Sequence, residues 1–135
     1  MNVPATLESR TLAVSIACEA EAVYRFVSNP ANLPQWATAF CQSIRQAGSE
    51  WVMQTSVGEM KVRFIPLNEF RVADHFVSPA PGVEIYVPLR VLPNGSGSEV
   101  VFTLFRSPEV SPEKFREDIG MVEQDLKTLK TVLEK

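Results

Sequence analysis

The sequence holds one histidine, two cysteines and six glycines in 135 residues, and each scarcity removes a class of chemistry. A single imidazole, His75, and two distant thiols, Cys18 and Cys41, leave no cluster at zinc or iron ligand spacing. No metal site and no cofactor are therefore expected. The thiols read as reduced cysteines of a cytoplasmic protein, with a Cys18–Cys41 disulfide as the alternative. No Gly-x-Ser-x-Gly elbow presents a nucleophile. The glycine pair in Asn94-Gly95-Ser96-Gly97 does not lead into a helix as phosphate cradles do. It reads as a hairpin turn, although Asn94-Gly95-Ser96 also matches a glycosylation sequon. Basic charge is not in excess: 13 Lys and Arg stand against 16 Asp and Glu, for a net charge of −3. They are scattered, which gives no support to a nucleic-acid partner. No apolar run approaches the ~20 residues of a membrane helix. The opening MNVPATLESRT lacks the basic and apolar regions of a secretory signal. A cytoplasmic chain with no integral membrane segment is the expectation.

What remains is an ordinary globular composition, 45% hydrophobic and 21% charged, in a length that argues for one domain over residues 1–135. Such a domain buries roughly two-thirds of the surface exposed by its unfolded chain and needs no staple. From Ser9 to Ala17, Leu12, Val14 and Ile16 alternate with Thr11, Ala13 and Ser15, which predicts a half-buried strand. At CEAEAVYRFV the period becomes helical, with Ala22, Val23, Phe26 and Val27 on one face and Glu19 and Glu21 near the N-terminus. This helix must stop by Ser28 or Asn29, because the residue before a proline is pushed out of the α region. Asn29 is a suitable cap and Pro30 a suitable first residue for a second, short helix.

Six strand-like runs follow: FCQSIRQ, EWVMQTS, EMKVRFIP, EFRVADHFV, VEIYVPLRVL and SEVVFTLFR. Their short, turn-rich connections favour antiparallel hairpins. The last segment reads as a helix capped by Ser111, with Pro112 and Glu113 in its first turn. Phe115, Ile119, Val122, Leu126, Leu129 and Leu133 form one apolar stripe along it. The stripe is also a short heptad, so a coiled-coil dimer stands beside the reading in which the helix packs on its own sheet. Gly120 lies off the stripe; close approach of another element is one account of it.

The stretch Val23–Ala37, VYRFVSNPANLPQWA, gives the order its signature. A helix ends in Val-Ser-Asn-Pro, and a polar spacer leads to Leu33-Pro34-Gln35-Trp36. With the order strand, broken helix pair, six strands and long C-terminal helix, the chain resembles the START-like (SRPBCC) superfamily. That superfamily includes the polyketide cyclase/dehydrase and lipid-transport group. The resemblance implies an α+β helix-grip fold: a curved seven-stranded antiparallel sheet wrapped around the C-terminal helix, braced by two short helices. It also implies a cavity between sheet and helix. Members bind lipids, sterols or polyketides, some are enzymes and some bind proteins, so the lining must decide the function.

Alternation places Phe70, Val72, Asp74 and Phe76 on one strand face and Arg71, Ala73, His75 and Val77 on the other. The first set is the more apolar and is expected inward, which puts the Asp74 carboxylate among aromatics. A local bulge would exchange the faces and turn His75 in. Asp74 and His75 are thus the acid/base candidates, against a structural aspartate held by an amide or an arginine. Trp36, Phe64, Asp74, Phe76, Val87, Phe102, Arg106 and Met121, with Phe40 as a further wall, are the expected ligand contacts. Three functions stay open: binding of a small hydrophobic, aromatic or polyketide-like ligand; a cyclase/dehydratase-type enzyme; and a protein-partner module with a filled interior. A homodimer through the long helix or a sheet edge is also open.

Overall fold

Leu12, Val14 and Ile16 do fall on one face of a strand, β1 (Ser9–Ile16), and their burial deepens toward Ile16. The computed structural model describes residues 5–135; the first four residues of the stretch read for a leader lie outside it. Helix α1 (Ala20–Val27) buries Ala20, Val23, Tyr24 and Val27. It ends at Ser28, ahead of Asn29-Pro30, as the proline requires. Asn29 caps the next turn, Pro30–Asn32, by accepting from the Ala31 amide at 3.1 Å. A four-residue helix α2 (Leu33–Trp36) continues from that turn and buries Leu33 and Trp36.

Eight strands follow the antiparallel plan in two ladders. One has the order β2 (Ser43–Ala47), β3 (Glu50–Thr55), β4 (Gly58–Phe64), β5 (His75–Ala80), β6 (Val83–Val87). The other has β1, β8 (Gly97–Phe105) and β7 (Leu89–Asn94), with β8 central. The count expected from sequence was seven in one sheet. The difference lies at Pro88, which divides the run Val83–Asn94 into β6 and β7. Proline has no amide to donate to a ladder, and only its carbonyl takes part, accepting from the Thr103 amide at 3.1 Å. The two ladders meet here: the Ala73 amide donates to Leu89 O at 2.7 Å, and Val72 bridges to Arg90.

The run EFRVADHFV is also shorter as a strand than its composition suggests. Residues 65–74 are a loop ordered by Asn68, whose Oδ1 accepts from the Phe70 and Val72 amides and whose Nδ2 donates to Val72 O. Arg71 within it adopts a left-handed φ of 56°, a conformation rare for a residue with a Cβ.

Helix α3 (Pro112–Leu133) begins as expected, with Ser111 Oγ accepting from the Lys114 amide at 3.1 Å. It packs against β1 and α2. Phe115, Ile119, Leu126 and Leu129 are buried, so the apolar stripe is covered by the chain's own elements. No heavy atom of another described element lies within 4 Å of where a Gly120 Cβ would stand, so close approach of such an element does not explain that glycine. Gly97 is different. A Cβ there would lie 2.6 Å from the Ile16 carbonyl oxygen, where the start of β8 lies beside the end of its antiparallel partner β1. Gly97→Ala is expected to destabilise the protein by about 1–3 kcal/mol through this backbone clash, read as a lowered urea midpoint.

Candidate functional site

A cavity of about 340 Å³ lies between the sheet and α3. The sheet supplies Met53, Met60, Val62, Val77, Val87 and Phe102; the α2 region supplies Leu33, Trp36 and Phe40; α3 supplies Phe115, Met121 and Val122. Val57 and Ile85, both exposed, border it with Lys114 and Asp118, which form an ion pair at 2.7 Å. An apolar wall with few polar groups, in this size range, is the usual makeup of a small-molecule site.

Of the residues singled out from sequence, Trp36, His75, Val87, Phe102 and Met121 line the cavity, as does Phe40. Phe64 sits beside it, stacked on the His75 ring at 4.5 Å between centroids. Arg106 is not in the wall. Its Nε donates to Glu8 Oε1 at 2.9 Å and its Nη1 to Val110 O at 2.8 Å, tying the end of β8 to both neighbouring segments. Trp36 is 2% exposed, and its indole Nε1 has no partner among the described residues.

The expected inward face of Phe70, Val72, Asp74 and Phe76 is the wrong one. Ala73, His75 and Val77 are buried and turn inward, whereas Phe70 is 77% exposed in the loop. Phe76 lies on the outer face, where the Arg63 guanidinium sits 4.5 Å from its ring centre and Tyr86 packs beside it. Aromatic content misassigned the face because a cation and a neighbouring aromatic shelter the outer Phe76 ring in part.

Asp74 is held on that outer side. Its Oδ2 accepts from Tyr86 Oη at 2.7 Å and Arg90 Nη2 at 3.1 Å, and its Oδ1 from the Leu89 amide at 2.9 Å. Burial alone would raise its pKa, but the hydrogen bonds from Arg90, Tyr86 and Leu89, with the Arg90 charge, hold it below the ordinary carboxylate value. This is an aspartate satisfied by an amide and an arginine. Its carboxylate secures the junction at Pro88 and does not reach the cavity wall.

Two buried titratable groups do reach it. Burial lowers the His75 pKa to about 4, so the ring is neutral at physiological pH. Its Nδ1 lies 3.1 Å from Ala73 O. Asp125, on α3, is only 4% exposed, and burial raises its pKa to about 6. Its Oδ1 accepts from the Ala39 amide at 2.8 Å, joining α3 to the segment between α2 and β2. Asp125 was missed in the sequence, yet a signal existed. It stands three residues after Val122 and four before Leu129, within the helical stripe. Near it, burial and the Asp125 charge push the Cys41 thiol up to about 11, which makes it a poor nucleophile. Cys18 and Cys41 are not bridged. Among the described residues no group of three or more His, Cys, Asp or Glu is placed to hold a metal ion, and no helix is long and apolar enough to cross a membrane.

An antiparallel sheet gripping a long C-terminal helix, with a short helix pair after the first strand and a cavity inside, is the START-like helix-grip fold. Comparison of structures shows the same. The protein XoxI from Bacillus cereus superposes with a TM-score of 0.77 at 20% identity, covering 94% of this chain and 96% of that one. A START superfamily protein from Mycobacterium smegmatis gives 0.73 at 13% identity, covering 93% and 97%. Ara h 8.0201 gives 0.64 at 12% identity, covering 94% and 97%. At these identities the likeness concerns the fold. No family model and no curated protein matches the sequence.

Proposed function

We propose that this protein binds a small hydrophobic ligand, aromatic in character, in the cavity between sheet and α3. The observation that carries this reading is the cavity itself, about 340 Å³ with walls of Trp36, Phe40, Phe102, Phe115 and three methionines. Methionine side chains adapt to ligands of varied outline. The cavity supports this reading over the partner-module alternative, which called for a filled interior. Unbridged Cys18 and Cys41 accord with a cytoplasmic setting.

The test is to fill the space. Met121→Trp adds bulk from the helix wall without touching the buried centre, since Met121 is only partly buried. Naphthalene binding, followed by calorimetry, is expected to be measurable in the wild type and weakened at least about tenfold in the variant, the equivalent of ~1.4 kcal/mol. Equal affinity in both proteins would place the ligand elsewhere.

A cyclase- or dehydratase-type enzyme is the second reading, favoured by His75 and Asp125 facing one cavity with pKa values of about 4 and about 6. It assigns proton transfer to those two groups and leaves Asp74 out. It requires turnover to fall in both His75→Phe and Asp125→Asn; turnover unchanged in either variant counts against it.

A further inference from the structure

We propose that His75 selects the ligand by accepting, at Nε2, a hydrogen bond from a hydroxyl carried on a flat aromatic ring. This rests on the cavity reading above and adds the polar anchor that reading lacks. His75 opens β5, and its side chain is on the inner face of the sheet, 6% exposed, in the cavity wall.

The tautomer follows from its neighbour. The Ala73 carbonyl, 3.1 Å from Nδ1, can only accept, so Nδ1 carries the hydrogen. In a neutral imidazole the other nitrogen is then a bare acceptor. Nε2 has no protein donor among the described residues. His75 itself is part of the cavity lining, so a molecule bound in the cavity is the donor available to it.

The ring is held in place as well as oriented. Phe64 stacks on it at 4.5 Å with 22° between planes, and Phe102 meets it edge-on at 6.4 Å and 74°. A fixed, nine-tenths buried acceptor with no donor is unfavourable in an apolar wall unless a ligand or water completes it. The rest of the wall narrows the choice. Thr55 Oγ1 is already used, donating to Gly58 O at 2.7 Å and accepting from the Val57 amide at 3.2 Å. One Asp125 oxygen holds the Ala39 amide, and its other oxygen is also an acceptor while ionised. The unpartnered Trp36 indole N–H is buried away from solvent, so the polar groups left facing the cavity depth are acceptors, and a hydroxyl-bearing ligand matches them better than a ketone or an ether of equal shape. The flatness comes from the rings of the wall: His75, held by its stack on Phe64, with Phe102 and Trp36 adjoining the same space.

The experiment compares naphthol, its methyl ether and naphthalene on the full wild-type chain by calorimetry near neutral pH. Naphthol is expected to bind about tenfold more tightly than the ether, the return on one well-placed hydrogen bond. Nitrogen NMR of the His75 ring is expected to show Nε2 shifting with naphthol and not with the ether. In His75→Phe, which keeps a ring on Phe64, the preference of naphthol over its methyl ether is expected to fall below about twofold. Naphthol and ether binding equally to the wild type would overturn the inference and leave the cavity reading standing. So would a preference that survives His75→Phe, which would move the anchor to Asp125. Failure of all three probes to bind would overturn both readings. The wild-type comparison needs no variant, so a poorly folding His75→Phe does not remove the test.

Discussion

Trp36→Ala is expected to lower the free energy of unfolding by about 3–5 kcal/mol, among the largest losses available to a single truncation. Trp36 is the largest side chain in the fully buried set and is 2% exposed. It closes α2, a helix of four residues whose place is set by the Asn29 cap and by packing on α3. So short a helix has no stability of its own; the indole is what fixes it to the core. Truncation would also join the vacated volume to the existing cavity, so neighbouring side chains have little to collapse onto. Urea unfolding followed by circular dichroism measures the effect. A loss below about 1 kcal/mol would mean that the indole lines an open mouth and is not part of the core.

Asp125→Asn is expected to act in the opposite direction, stabilising the protein by about 2 kcal/mol at about pH 8 and by almost nothing at about pH 4. In the folded chain, burial raises this carboxyl from 3.8 to about 6. Above about pH 6 the folded state holds a buried charge at a cost. Between about 6 and 3.8 the folded state takes up the proton first, so this group's contribution to stability rises as pH falls. Below 3.8 both states are protonated and the cost is gone. Asparagine removes the charge and keeps an oxygen for the Ala39 amide. His75 titrates with the reverse sign. Its pKa is lowered from 6.5 to about 4, so as pH falls through that window the unfolded chain is protonated first and stability is lost. The two terms oppose each other in the wild type. In Asp125→Asn the His75 term stands alone, and stability is expected to fall more steeply toward acid. Denaturant midpoints of both proteins at four or more pH values would show it; a variant less stable than the wild type at about pH 8 would contradict the account.

Local signals carried most of the fold. The period-2 run of Leu12, Val14 and Ile16, the caps at Asn29 and Ser111, and the stripe from Phe115 to Leu129 all behave as their spacing requires. The misreadings arose where a local pattern leaves a global choice open. Alternation sorts Asp74 and His75 onto opposite faces but does not say which face is covered. That was decided by a loop with Arg71 at positive φ and by the Arg63 and Tyr86 side chains over Phe76. Pro88 marked an irregularity without revealing that the strand changes partners there. Asp125 reads as a solvated charge by composition, and only its position within the stripe betrays its burial. The apolar half of the site was therefore legible, in Trp36, Phe102 and Met121, while its polar half depended on tertiary contacts between α3 and the sheet.

The proposed function places a small apolar molecule in the space between sheet and α3. Three of the chain's four methionines, Met53, Met60 and Met121, line that space from two strands and the helix. A carbon NMR titration of methyl-labelled methionine with naphthalene reads all of them at once. The Met53, Met60 and Met121 methyls are expected to shift together along one saturable isotherm, from ring currents felt on three sides of one bound molecule. Saturating naphthalene with those three resonances unmoved would contradict it.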